Sequence, residues 1–137
     1  MRESVYLDSN VFIFPAIYSR KIPKATRAIE ILNKVERKEI RAYTSALTWD
    51  EVVWVTLKVL GRQDAIEIGR KLISFPNLRF VEVNDDIISK AQLLIEKYRI
   101  SPRDAIHCAS ALVKGIRKII TDDKDFDLIR EVERIPL

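Results

Sequence analysis

Short runs of β-branched and aromatic residues alternate along this chain with longer segments whose apolar positions recur at helical spacing, and no other feature constrains its fold as tightly. Val5-Tyr6-Leu7 reads as a first strand, followed by a helix over residues 10–19. Ala25, Ala28, Ile29, Leu32 and Val35 share one face of a second helix, and a second strand is expected at 41–44. Residues 48–60 are apolar almost all round, which predicts a largely buried helix ended by Gly61. A further helix carries Ala65, Ile66, Gly69, Leu72 and Ile73 on its face, and Pro76-Asn77 then turns the chain into a third strand at 78–83. Asn84 caps a helix striped by Ile87, Ile88, Ala91, Leu94, Ile95 and Tyr98. Ser101-Pro102 opens another, which closes at Gly115. Strands at 118–120 and near 132–135 complete the pattern.

Connections long enough to hold a helix join parallel strands, so the expected fold is α/β: a mostly parallel sheet with helices on both faces. The chain has 137 residues and no repeat, low-complexity tract or linker, which predicts a single domain over 1–137. In such folds ligands gather beyond the carboxyl ends of the strands.

Composition removes several function classes. With only three glycines, Gly61, Gly69 and Gly115, neither a phosphate loop nor a dinucleotide fingerprint can be written. One cysteine, Cys108, and one histidine, His107, exclude an internal disulfide and a Cys/His zinc site, and fit a reducing compartment. No apolar stretch approaches the roughly 18 residues that span a bilayer. The N-terminal residues lack the pattern of a secretory signal, so the cytoplasm is the expected location. The net charge of +4 suits a polyanionic partner, although the basic residues are dispersed as on a solvated surface.

Chemistry is left to the carboxylates. Asp8 follows the first strand and could cap the next helix. Glu51, in Thr48-Trp49-Asp50-Glu51, and Asp104, in Ser101-Pro102-Arg103-Asp104, both have capping-box spacing. Asp123 and Asp125 follow the fourth strand, where acids complement a helix dipole. Capping does not explain their common address. Asp8, the Glu51 region and the 121–125 turn all follow strand ends, while Asp104 opens a helix that runs back antiparallel to the strands and so starts at the same edge. Carboxylates crowded there repel one another unless a cation neutralises them. Oxygen-only ligands select a hard ion, Mg²⁺ or Mn²⁺.

These residues resemble the PIN domain, and in size most of all the VapC-type ribonuclease toxins. The matching elements are Val5-Tyr6-Leu7-Asp8-Ser9-Asn10, the isolated Glu51, Arg103-Asp104-Ala105-Ile106-His107 with Ala109 and Ala111, and Thr121-x-Asp123-x-Asp125-Phe126. Together they span nearly the whole chain. The resemblance implies a sheet of order 3-2-1-4-5 and a metal held by Asp8, Glu51, Asp104 and Asp123, with Asp125 more peripheral. It implies Mg²⁺- or Mn²⁺-assisted hydrolysis of RNA phosphodiester bonds, with an activated water as nucleophile. Ser9 stands where the family usually has threonine. Asp123 rather than Asp122 is taken as the fourth acid because it fits the family's spacing.

Ser9, Asn10 and Thr121 are candidates to hold the carboxylates in place, and Arg103 to meet substrate phosphate. His107 lies on roughly the helix face of Asp104, and is read as a packing residue before a ligand or general base. Cys108 is read as a buried small side chain, and Trp49 and Trp54 as core or interface anchors. The resemblance further implies a homodimer, consistent with abundant apolar surface at 10–19 and 48–73, and a VapB-type antitoxin partner. The alternatives are a PIN nuclease of RNA processing, or a catalytically silent RNA-binding PIN domain. Aspartyl-phosphate phosphatases and receiver domains also place an aspartate after the first strand. The phosphatases want Asp-x-Asp, where this chain has Asn10, and receivers want an acidic pair that is missing here.

Overall fold

The computed structural model describes residues 2–137. In chain order the elements are β1 (Ser4–Leu7), α1 (Asn10–Tyr18), α2 (Pro23–Glu36), β2 (Arg41–Ser45), α3 (Ala46–Leu60), α4 (Arg62–Ile73), β3 (Leu78–Val81), α5 (Asp85–Lys97), α6 (Pro102–Val113), β4 (Lys118–Ile120) and β5 (Glu133–Ile135), with a 3₁₀ turn at Lys124–Leu128 before β5. The strands form one sheet of order β3-β2-β1-β4-β5. All four pairings are parallel, with Val5 opposite Ala42 and Tyr6 opposite Ile119. This is the α/β architecture expected from the sequence pattern, with the strand order that the family resemblance implies.

Alternation along the strands divides the core in two. Tyr6, Val81 and Ile119 point to one face, where α5, α6 and the 3₁₀ turn supply Ile87, Leu94, Ala105, Phe126 and others. Val5, Leu7 and Ile120 point to the other, packed by α1 to α4 through Val11, Ala28, Val52 and Leu72. β1 is thus central both in the sheet and between the layers. Two local signals act as predicted. Asn84 accepts from the Ile87 amide to cap α5, and Gly61 takes φ +94° where α3 ends and α4 begins. Gly69 has a packing reason: a Cβ there would meet Val53 Cγ2 at 3.2 Å and Trp49 Nε1 at 3.3 Å, so glycine lets α4 lie close on α3.

The helix from Thr48 to Leu60 departs from expectation. It starts at Ala46, and only Thr48, Val52 and Thr56 are buried along it. Trp49 is 41% exposed, Trp54 53% and Val59 57%, so neither tryptophan is a core residue. A helix apolar all round is buried only if something covers every side, and in a single chain α1 and α4 cover just one. The third strand is also shorter than expected, ending at Val81 because Asn84 is already committed to capping α5. Among the described residues, no helix is long and apolar enough to cross a membrane.

Candidate functional site

Asp8 is the first residue beyond β1, and its amide still donates to the Ile120 carbonyl at 3.1 Å, continuing the ladder. Its carboxylate is buried and held from several directions. The Ser9 amide donates to Oδ1 at 2.7 Å, the Thr121 hydroxyl to Oδ2 at 2.7 Å, and Asn10 Nδ2 to Oδ2 at 3.4 Å. Thr121, just past β4, accepts in turn from the Asp123 amide at 3.0 Å and from Asn10 Nδ2 at 3.3 Å. One buried hydroxyl therefore ties the end of β1 to the acidic turn after β4. The N-terminal cap predicted for Asp8 is not made by its side chain, because the helix's N-cap residue is Ser9 and no side chain caps there.

Glu51 sits inside α3, and the capping box expected from Thr48 is absent because the helix starts at Ala46. Thr48 is instead buried, 2.7 Å from the Thr44 hydroxyl. Glu51 Oε1 lies 2.5 Å from His107 Nε2, and Asp8 Oδ1 lies 3.4 Å from the same nitrogen. With two carboxylates facing it, Nε2 carries a proton. The other ring nitrogen, Nδ1, is 2.7 Å from the Tyr6 hydroxyl. Burial opposes a charged imidazole, but the Glu51 hydrogen bond and the charges of Asp8, Glu51 and Asp104 outweigh it and raise the His107 pKa. His107 is therefore a hydrogen-bonded hub, not the plain packing residue expected. Since both nitrogens are engaged, it positions Glu51 instead of offering a lone pair to a metal.

Asp104 lies in the first turn of α6, where its amide donates to the Ser101 hydroxyl at 3.1 Å as the predicted cap requires. Its half-buried carboxylate gathers with Asp123 and Asp125, the three offering oxygens within 4.8 Å of one another. Burial and then the charges of Asp123 and Asp8 push the Asp104 pKa up to about 7. Asp123 also caps the 3₁₀ turn, accepting from the Asp125 amide at 2.9 Å. Its neighbour Asp122 is drawn away into an ion pair with Lys24 at 2.8 Å. Arg103 is exposed at the start of α6 and makes no ion pair among the described residues.

The predicted acids thus fall into two adjoining sets, Asp8 and Glu51 around His107, and Asp104 with Asp123 and Asp125. They are not one tight cluster. The sets still sense each other, because Asp8 is among the charges that raise Asp104. The donors are carboxylate oxygens, and Asp104 holds its proton near neutrality because it is half buried and faces like charges. That is the chemistry a hard divalent cation satisfies, and its binding would release the Asp104 proton.

Tyr6 was not singled out in the sequence, although a tyrosine in the middle of a fully buried strand must find a partner for its hydroxyl. Burial also raises its pKa, which keeps the phenol protonated beside His107. Cys108 is fully buried in the α6 core, its thiol pushed up to about 12 chiefly by burial, as an inert small side chain should be.

Known proteins share this fold. The chain is similar to Ribonuclease VapC2 of Methanocaldococcus jannaschii, at 23% identity over 145 aligned positions that cover 97% of this chain and 93% of the relative. Among solved structures it resembles DNA-bound VapBC from Salmonella typhimurium, with TM-score 0.74, 18% identity and 99% and 98% of the two chains covered. It also resembles VapC20 of Mycobacterium tuberculosis, described as a Sarcin-Ricin loop cleaving toxin, with TM-score 0.73, 17% identity and 90% and 92% covered. The model of the PIN domain family matches residues 5–132, a span running from the first strand to the residue before the last. The chain belongs to the PIN domain family.

Proposed function

We propose that this protein is a Mg²⁺- or Mn²⁺-dependent endoribonuclease, the toxin of a VapBC-type toxin–antitoxin pair acting in the cytoplasm. The observation that carries the reading is the row of carboxylates at the carboxyl edge of the sheet, with Asp104 held near pKa 7 by burial and by Asp123 and Asp8. Asp8, Glu51, Asp104 and Asp123 would hold the cation, with Asp125 at its margin. When bound, the ion supplies an activated water and neutralises charge on the reacting phosphate. The chain's own residues do the rest. Thr121, Asn10 and the Ser9 amide fix the Asp8 carboxylate, while His107, braced by Tyr6, fixes Glu51. Arg103, exposed beside Asp104, would meet an RNA phosphate. A binding-only domain facing a polyanion would gain by losing these acids.

Purified protein is expected to cleave RNA with Mg²⁺ or Mn²⁺ and to stop in chelator, with zinc failing to substitute. Full cleavage in excess EDTA would reject the metal mechanism, and no cleavage with either ion would favour a silent RNA-binding domain.

The partners fit the uncovered helices. Between α3 and α4 lies a cavity of about 300 Å³ walled by Trp49, Val53, Leu57, Ile66 and Ile73 and flanked by Arg62 and Arg70. We assign the exposed faces of α1, α3 and α4 to a homodimer and an antitoxin. Light scattering at micromolar concentration should give twice the 15.9 kDa chain mass. A strict monomer would remove the homodimer.

A further inference from the structure

At the opposite end of the strands from the carboxylates lies a polar cavity, lined by Arg2, Lys38, Ile40, Arg41, Asn77 and Arg79. Its volume of about 190 Å³ is far above the roughly 10–15 Å³ that one water needs, and admits a tetrahedral oxyanion. The topology builds it. Arg41 opens β2, Asn77 and Arg79 flank the start of β3, Arg2 precedes β1, and Lys38 stands in the turn that enters β2. β2 spans five residues, so this pocket is separated from the acidic edge by about 15 Å of strand.

Four cations surround this cavity, and none forms an ion pair among the described residues. Two nearby acids are engaged elsewhere, Glu3 with Lys118 and Glu39 with Arg37, while Glu36, whose carbonyl Asn77 holds, is exposed and makes no ion pair among the described residues. Arg41 Nε is buried and has no hydrogen-bond partner. Such a donor is costly to leave unmet, and like charges gathered round a cavity repel unless something anionic lies between them. The other polar groups are already fixed. Asn77 Nδ2 donates to the Glu36 carbonyl at 2.9 Å, and Arg79 Nη1 donates to the Tyr43 hydroxyl at 3.2 Å while its guanidinium stacks over that ring. Arg2 Nη1 donates to the Lys38 carbonyl at 3.4 Å, which leans it over the mouth.

We propose that this pocket binds a phosphate-type oxyanion, with Arg41 and Arg79 as the principal donors and Lys38 and Arg2 as charge at the rim. Guanidinium groups suit the task because their paired N–H donors match phosphate oxygens. The anion is either a free phosphate or a phosphodiester of an RNA strand that passes this face.

The test is calorimetric titration of the full-length protein with inorganic phosphate, in chelator and at constant ionic strength, with chloride as the control. One saturable site per chain is expected. Arg79→Gln and Arg41→Gln should each weaken it by roughly tenfold or more, the loss of one charge-assisted contact. Arg79 is exposed, so its variant is informative even if Arg41→Gln fails to fold. Asp8→Asn should leave phosphate affinity unchanged. No saturable binding, equal affinity in Arg79→Gln, or a loss of affinity in Asp8→Asn would each overturn the proposal. A second titration adds a short single-stranded oligoribonucleotide to phosphate-loaded protein. Displacement of phosphate that persists in Asp8→Asn identifies a backbone phosphodiester as the occupant, and retention identifies the free anion. These readouts need no catalysis and stand apart from the nuclease reading.

Discussion

Asp104→Asn is expected to unfold at a higher temperature than the parent protein in chelator, and to have lost divalent-supported RNA cleavage. A catalytic site and a helix cap predict opposite results here. If the residue served mainly to start α6, the change would cost up to ~1 kcal/mol and leave cleavage almost intact. The bond that caps this helix runs from the Asp104 amide to Ser101, and asparagine keeps it. What asparagine removes is a half-buried carboxyl raised to about 7 by burial and by the charges of Asp123 and Asp8. The sign of the pH effect follows. In the unfolded chain Asp104 ionises near its ordinary 3.8, so between about pH 4 and 7 the unfolded state binds fewer protons and stability falls as pH rises. Asp104→Asn should flatten that decline. His107, also raised, stabilises fully below 6.5 and loses its contribution as pH rises through its folded-state value, so the variant retains a decline on the alkaline side. Asp8→Asn and Asp123→Asn should likewise abolish cleavage, while Asp122→Asn, whose carboxylate faces Lys24, should stay active. Thermal melts across pH and an RNA cleavage assay would check these outcomes together; an active but destabilised Asp104→Asn protein would sink the site as drawn.

His107→Leu should be the most destabilising single change at the site. Leucine fills much of the space, but it leaves Glu51 and Asp8 facing each other without the imidazole and strands the Tyr6 hydroxyl. Removing one partner of a buried charged pair costs about 3–5 kcal/mol. Because the damage is uncompensated negative charge, added Mg²⁺ should stabilise this variant more than it stabilises the parent, a difference that a simple packing defect would not produce. Urea unfolding with and without Mg²⁺ measures both effects. A loss under about 1 kcal/mol would mean that the histidine only fills space.

The fold was legible because three kinds of local signal agreed. Asn84 capped where it should, Gly61 closed α3, and the alternation in Val5-Tyr6-Leu7 placed β1 between two cores. The α3 helix is less buried than its pattern suggests because an apolar composition on every side does not say which faces the chain itself covers. Capping spacing misled at Thr48 for a related reason: the hydroxyl that looked like a helix start is spent on Thr44 inside the fold. For the site, the address of each acid followed from its place after a strand or at the start of a returning helix, which sequence reveals. The division into two sets around Tyr6 and His107 did not, because it depends on contacts between residues 101 positions apart in the chain.

The borders of the sheet limit how this molecule can join another. At one side β5 is three residues long and is followed at once by Pro136, which has no N–H to offer a neighbour. At the other, β3 has four residues and carries Arg79, whose side chain lies over Tyr43 of the next strand. Neither margin is a long, flat template, so growth of the sheet by an added strand from a second chain is discouraged at both ends. Recognition between chains is left to side chains on helices, where register is set by shape and each surface can be occupied only once. Such margins disfavour open-ended stacks built by strand addition.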